Sequence, residues 1–180
     1  VGPGLSMNVA AAEITRCVLE RDDKVRILDA DALNIIAGEH IDYKGSREGQ
    51  IIITPHIMEM SRLTGKTVAD IKEHMIESAK EYAIQHSCIC ILKDARTVVT
   101  DGQKVYINCT GNDGMSTGGC GDVLTGLIAG MTAMGLDAFE AACLSVYVHG
   151  KAGDYAASGK GRAGMTAADV SEAIAYVLKR

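Results

Sequence analysis

The chain has 180 residues, 47% of them apolar, which is enough for one domain with a real core and excludes wholesale disorder. Aromatic residues make up only 4%, with no Trp and a single Phe, and 23 Asp and Glu against 18 Lys and Arg leave a net charge of -5. A base-stacking platform or a polyanion-binding surface needs the opposite of both.

In chain order, the spacing predicts a helix over residues 8–21, with Val9, Ala12, Ile14, Val18 and Leu19 as its apolar stripe. Val25 to Leu28 reads as a short strand, followed by Asp29-Ala30-Asp31-Ala32-Leu33-Asn34 as a turn into a brief helix. Gly45 to Gly49 reads as a loop, and Ile51-Ile52-Ile53 as a β-branched strand stopped by Pro55. Thr67-x-x-Asp70 has the form of a capping box and starts a helix to about His86. Cys88 to Leu92 is apolar throughout, as a strand covered on both faces should be. Val98-Val99 and Val105 to Ile107 flank Asp101-Gly102 as a hairpin.

A glycine-rich loop from Gly111 to Gly121 then feeds an apolar helix from Asp122 to about Met134. Asp137-x-x-Glu140 and Thr166-x-x-Asp169 cap the last two helices. Strands alternating with helices imply an α/β fold with a mainly parallel sheet flanked by helices, plus one antiparallel hairpin. Repeats and linkers are absent, so residues 1–180 are expected to form a single domain.

No run approaches the ~18 uninterrupted apolar residues of a membrane span. The most apolar stretch, Val123 to Leu136, is broken by Thr and Gly, and a soluble, cytoplasmic protein is expected. The six cysteines show no C-x-x-C pair or Cys/His cluster and are expected as buried free thiols. The opening Val1-Gly2-Pro3-Gly4 reads like the end of a strand, so the first strands of the domain are expected to be missing, with apolar edges covered by a partner segment or by oligomerisation.

Asp29 and Asp31 follow one predicted strand, Thr54 and His56 the next, and Lys93 the third. Ligands of open α/β sheets bind just beyond the carboxyl ends of strands, so one shared crevice is expected. The loop Gly111-Asn112-Asp113-Gly114-Met115-Ser116-Thr117-Gly118-Gly119-Cys120-Gly121 can turn backbone N–H groups towards an anion, and the helix after it adds its positive end. Asp122 at that helix start can take a proton from an attacking hydroxyl, as phosphoryl transfer to an alcohol requires.

Each residue also has an ordinary reading: Asp122 as a helix N-cap, Lys93 as a solvated strand-end lysine, His56 as a loop histidine with a backbone partner. For Asp29, capping of the short helix is favoured over catalysis. The residues alone stop at an α/β nucleotide or phosphate enzyme with an aspartate base.

Five ordered segments resemble the ADP/ATP-dependent NAD(P)H-hydrate dehydratases, within the ribokinase-like superfamily. Val1-Gly2-Pro3-Gly4-Leu5 is similar to the family's G-P-G-L-G, and Leu28 to Asn34 to L-D-A-D-A-L-N. Thr54-Pro55-His56 through Glu59-Met60 resembles T-P-H-P-G-E-M, and Asn112 through Gly126 resembles N-P-G-M-A-T-G-G-T-G-D-V-L-T-G. Glu140-Ala141-Ala142, His149-Gly150 and Ala152-Gly153-Asp154 resemble E-A-A…H-G-x-A-G-D.

The resemblance implies a repair reaction: ADP or ATP, with Mg²⁺, phosphorylates the hydroxyl of C6-hydrated NADH or NADPH, and loss of phosphate restores the cofactor. It implies Asp122 as the base and Gly118 to Gly121 as an anion hole. Gly4 and His56 become hydrate-contacting positions. Lys93, Asp94, Ala95, Arg96 and Thr97, with Asn112 to Gly121, become nucleotide-binding segments, and Glu59 a carboxylate ordering Mg²⁺ through water. A homo-oligomer is expected. Departures from the pattern include Asp94 for a glycine, Asp113 for a proline and Cys120 for a threonine. Two rival readings remain: a ribokinase-like kinase of a hydroxymethylpyrimidine or hydroxyethylthiazole type of vitamin precursor, and a non-catalytic nucleotide-binding fragment.

Overall fold

In a computed structural model of the chain, residues 1–45 and 50–179 are described; residues 46–49, part of the predicted Gly45–Gly49 loop, lie outside them. Five strands form one sheet in the order β1-β2-β3-β4-β5. β1 (Arg26–Leu28), β2 (Ile51–Ile53) and β3 (Ile89–Leu92) run parallel, with Leu28 beside Ile53 and Ile53 beside Cys90. β4 (Val98–Thr100) and β5 (Val105–Ile107) complete the sheet as the expected antiparallel hairpin.

The period of two along the strands divides the core into two layers. Leu28, Ile53, Cys90, Leu92 and Val98 share a cluster with residues of α2 (Asp31–Gly38), α3 (Ile57–Thr64), α4 (Val68–Glu73) and α5 (Met75–His86). Ile27, Ile52, Ile89, Ile91 and Val99 pack on the other face, against Leu124 and Ile128 of α6 (Cys120–Ala133) and Ala142 and Val146 of α7 (Ala138–Lys160). α8 (Ala167–Val177) joins α6 and α7 through Val170 and Ala173. Among the described residues no helix is long and apolar enough to cross a membrane.

Several expectations are corrected. α1 (Val9–Glu20) forms on its Asn8 cap, but Val9 and Ile14 are 77% and 46% exposed. The helix docks instead through the small residues Ala11 and Ala12, which pack against Ile35 of α2, while Val18 and Leu19 reach the main core. The predicted helix over 67–86 is two helices, broken at His74 with φ -125 and ψ 49. Ile71, Met75 and Ala79 keep helical spacing across the break, so the apolar period does not register it.

α3 follows Pro55 directly and was not predicted. Its N-cap is His56, whose Nδ1 accepts from the Glu59 N–H at 3.1 Å while the Glu59 carboxylate accepts from the His56 N–H at 2.8 Å. The hairpin forms as expected, its turn over residues 101–104 held by Asp101 Oδ1, which accepts from both the Gln103 and Lys104 N–H groups. The glycine-loop helix starts at Cys120, two residues before the expected Asp122. All six cysteines are free, but Cys17 and Cys109 are exposed, against the expectation of burial. β1 is buried along its length, and Val1 pairs alongside it, donating to the Ile27 carbonyl at 2.6 Å and accepting from the Asp29 N–H at 3.1 Å.

This layering predicts that Ile91→Ala, which empties a fully buried site, lowers the unfolding free energy in urea by about 3 kcal/mol. Val9→Ala, on the exposed side of α1, changes it by no more than about 0.5 kcal/mol. Equal losses from the two would contradict the docking of α1 described above.

Candidate active site

The carboxyl ends of β1, β2 and β3 lie side by side and present Asp29, Thr54 and Lys93. Backbone pairing of the last two strands continues past their ends, with the Lys93 N–H donating to the Pro55 carbonyl at 2.8 Å. The Asp29 carboxylate is 1% exposed. Its Oδ1 accepts from Lys93 Nζ at 2.9 Å and its Oδ2 from the Thr125 hydroxyl of α6 at 2.7 Å. Burial pushes the Asp29 carboxyl up, but the Lys93 charge and hydrogen bonds from Lys93, Thr125 and Thr54 outweigh it and hold the group below its ordinary range.

Asp29 therefore does not cap α2, contrary to the favoured reading; Ala30 occupies that position with φ 49. Nor is Lys93 a free, solvated side chain, being three-quarters covered and paired. His56 does carry a backbone partner, as its ordinary reading held, because its ring caps α3.

Above this floor is a cleft of about 650 Å³, within the size range of small-ligand sites. One wall is the β3–β4 connection, Lys93 to Thr97, and His56 stands beside it. The other is the glycine-rich segment, through Asn112, Asp113, Met115, Ser116, Thr117, Cys120 and Gly121. α6 enters from Gly119, whose φ of 91 suits a glycine, so the first-turn residues Cys120 and Gly121 border the cleft. A Cβ at Gly121 would lie 3.5 Å from Lys93 Nζ, so the missing side chain leaves the ammonium open to the cleft.

Other predicted site residues stand off this cleft. Gly114 faces away, where a Cβ would come within 2.4 Å of the Arg162 carbonyl, and Gly118, Gly119 and Gly4 do not line it. Asp122 is exposed at the third position of α6, also outside the lining, and is not the N-cap its ordinary reading made it. Glu59 is buried and engaged by His56. Among the described residues no three His, Cys, Asp or Glu side chains gather as a metal site. Asp94 is exposed, and Arg96 donates to the Ala95 carbonyl rather than to the Asp94 carboxylate.

Sequence reasoning missed the deep wall, formed by Asn108, Thr110, Leu124, Val146, His149 and Gly150. Val146, His149 and Gly150 share one face of α7, a spacing that reads equally well as core. His149 Nε2 is buried without a hydrogen-bond partner. Burial pushes the ring pKa down to about 4, the Cys120 backbone opposing and the Lys93 charge assisting, so the ring is neutral at pH 7. A neutral imidazole and an open ammonium, beside a helix N-terminus, suit a ligand with an anionic end and a hydrogen-bonding body.

A family model described as NAD(P)H-hydrate dehydratase matches residues 1–176. The chain is 45% identical over 181 residues to a bifunctional NAD(P)H-hydrate repair enzyme of Moorella thermoacetica, a match covering 99% of this chain and 34% of that relative. With an ADP-dependent (S)-NAD(P)H-hydrate dehydratase of Neisseria meningitidis, identity is 35% over 185 residues, covering 100% of this chain and 62% of the relative. A solved structure of the ADP/ATP-dependent NAD(P)H-hydrate dehydratase of Bacillus subtilis, co-crystallised with ATP and Mg²⁺, superposes with a TM-score of 0.87 at 32% identity, over 98% of this chain and 62% of that one. The chain thus spans less than two thirds of each of these relatives.

Removing the Asp29 counter-ion tests the floor of the cleft. Lys93→Met strands a buried carboxylate and is expected to cost about 3 kcal/mol of unfolding free energy at neutral pH. The depressed Asp29 pKa gives the wild type stability that is present above the unfolded value of about 4 and lost as pH falls through the folded value. In the variant, burial raises the same pKa, so protonation relieves the penalty and the gap between the proteins narrows on acidification. A gap in urea unfolding that is independent of pH would contradict the pairing.

Proposed function

The chain belongs to the NAD(P)H-hydrate dehydratase family, and we propose that it repairs C6-hydrated NADH or NADPH at the expense of ADP or ATP. The observation that carries this reading is the convergence of Lys93, the glycine-rich segment and the first turn of α6 on one cleft at the strand ends. These groups supply positive charge and N–H donors in one place, which is what a polyphosphate needs.

In this reading the β- or γ-phosphate of the nucleotide lies towards Lys93 and the N-terminus of α6. The Asp122 carboxylate makes no side-chain hydrogen bond among the described residues and is free to accept a proton. It takes the proton of the hydrate hydroxyl as that oxygen attacks phosphorus, and the bond to the nucleoside mono- or diphosphate leaving group breaks. In the proposed anion hole of Gly118 to Gly121, Cys120 and Gly121 are the members that border the cleft, and their backbone N–H groups stabilise the charge on the transferring phosphoryl group. The new phosphate ester then leaves as orthophosphate, and loss of a proton from the neighbouring carbon restores the ring double bond.

His56 and Gly4 are the proposed hydrate contacts. His56 borders the cleft while its Nδ1 accepts from the Glu59 N–H and its Nε2 lies 3.4 Å from Glu59 Oε1, so Glu59 fixes the ring that the substrate would meet. Mg²⁺ neutralises phosphate charge when bound. It would be held mainly by phosphates and water, with Glu59 as the proposed water-mediated contact. A homo-oligomer located in the cytoplasm is part of the same proposal.

The test is incubation of the intact protein with hydrated NADH, Mg²⁺ and ADP, following recovery of the dihydronicotinamide near-ultraviolet absorbance. Recovery that requires nucleotide is expected, and Asp122→Asn should slow it by about 10²-fold or more, the range for a lost general base. An unchanged rate in the variant would remove Asp122 from the role. No recovery from folded protein that binds ADP would overturn the dehydratase reading.

A further inference from the structure

The glycine-rich wall of the cleft is moulded against one face of α7. A Cβ at Gly150 would sit 2.1 Å from Thr110 Oγ1, and one at Gly153 would sit 2.2 Å from Met115 Sδ. Both glycines are buried; a larger residue at 150 would push the loop backbone at Thr110 away, and one at 153 would displace the Met115 side chain. The next residue, Asp154, turns this close approach into a fixed arrangement. Its Oδ2 accepts from the Gly111 N–H and its Oδ1 from the Asn112 side-chain amide, each at 3.1 Å. The Asn112 Oδ1 in turn accepts from the Gly114 N–H at 3.0 Å, at the short turn Asp113–Met115.

Two consequences follow. The Asn112 amide is engaged at both ends, donating one N–H to Asp154 and accepting from Gly114, so the side chain is held in one orientation and Asn112 shapes the cleft through its backbone. Gly111 has a φ of 100, in the left-handed region, and its N–H direction is set by a carboxylate on a different element. Gly111 and Asn112 both line the cleft.

We propose that Asp154 is a positioning residue for the nucleotide: from α7 it fixes the Gly111–Asn112 segment as the preformed wall against which a nucleoside diphosphate packs. The proposal rests on the reading of this cleft as the nucleotide site. Asp154 does not touch the ligand itself; it acts by removing the ordering cost that a free glycine segment adds to binding.

The pairing can be inverted, which separates positioning from a general loss of structure. Asp154→Asn opposes two amide donors, and Asn112→Asp opposes two carboxylates. In the double variant amide and carboxylate exchange places: the amide on α7 accepts from the Gly111 N–H and donates to the carboxylate at position 112, which still accepts from the Gly114 N–H. Calorimetric titration of the intact protein with ADP and Mg²⁺ is expected to give a Kd about tenfold weaker in each single variant and within about threefold of wild type in the double, the scale of one charge-assisted hydrogen bond lost and regained. Hydrogen exchange at the Gly111 amide should be faster in the single variants and slow again in the double.

Single variants that bind ADP as wild type does, or a double variant no tighter than the weaker single, would overturn the proposal. Wild-type protein that binds no ADP would overturn the nucleotide reading and this proposal with it. Only that failure shows in the wild type, so the two are distinguishable.

Discussion

The site depends on one ion pair laid across the ends of the parallel strands. Asp29 ends β1, Lys93 ends β3, and Thr125 reaches the same carboxylate from α6, so a single buried charge joins two strands and a helix. A carboxylate this deeply buried costs several kcal/mol unless its partners are well placed, and such pairs contribute little net stability when they are. Its value lies in direction. Lys93 is held with its ammonium against the first turn of α6, beside Gly121, where a lysine free to move would spread its charge over many rotamers. The cleft opens directly above that point.

The second constraint is steric. α7 runs for 23 residues, and its buried positions include Ala141, Ala142, Ala152, Gly150, Gly153 and Ala156. Small residues let the sheet, the glycine-rich segment and α8 approach from different sides, at the cost of helix propensity at the glycines. The polar groups of that interface are satisfied in part by Asp154 and by Thr110, whose hydroxyl donates to the Tyr147 carbonyl at 3.0 Å. Ser145 Oγ and His149 Nε2 of α7 are buried without a hydrogen-bond partner, and His149 is the one of the two on the wall of the cleft. Buried groups left open in this way sit where a ligand or an ordered water completes them.

The strands, their parallel arrangement and the crevice at their ends were legible because each rests on a local signal: β-branched runs, capping boxes at Thr67 and Thr166, polar residues after apolar ones. The partners were not. Lys93 is 64 residues from Asp29, and Thr125 is 96, so nothing near Asp29 in the chain distinguishes a helix cap from an ion pair. α3 was missed because its N-cap is a histidine rather than Ser, Thr, Asp or Asn, although Glu59 stands at the capping-box position. The start of α6 moved because a left-handed Gly119, not Asp122, ends the loop. Gly150, Gly153 and Asp154 entered only through a resemblance, since the need for small residues there comes from Thr110 and Met115, about forty residues upstream on a loop that local spacing does not link to α7.

In the proposed reaction a hydroxyl is phosphorylated in this cleft in order to be lost, and product stoichiometry tests that most directly. Phosphorus NMR of the intact protein with hydrated NADH, ADP and Mg²⁺ should show AMP and orthophosphate rising together, one of each for every NADH recovered by absorbance. AMP accumulating with a stable phosphate ester, and without orthophosphate or NADH, would contradict the account and make the protein a kinase built on the same fold.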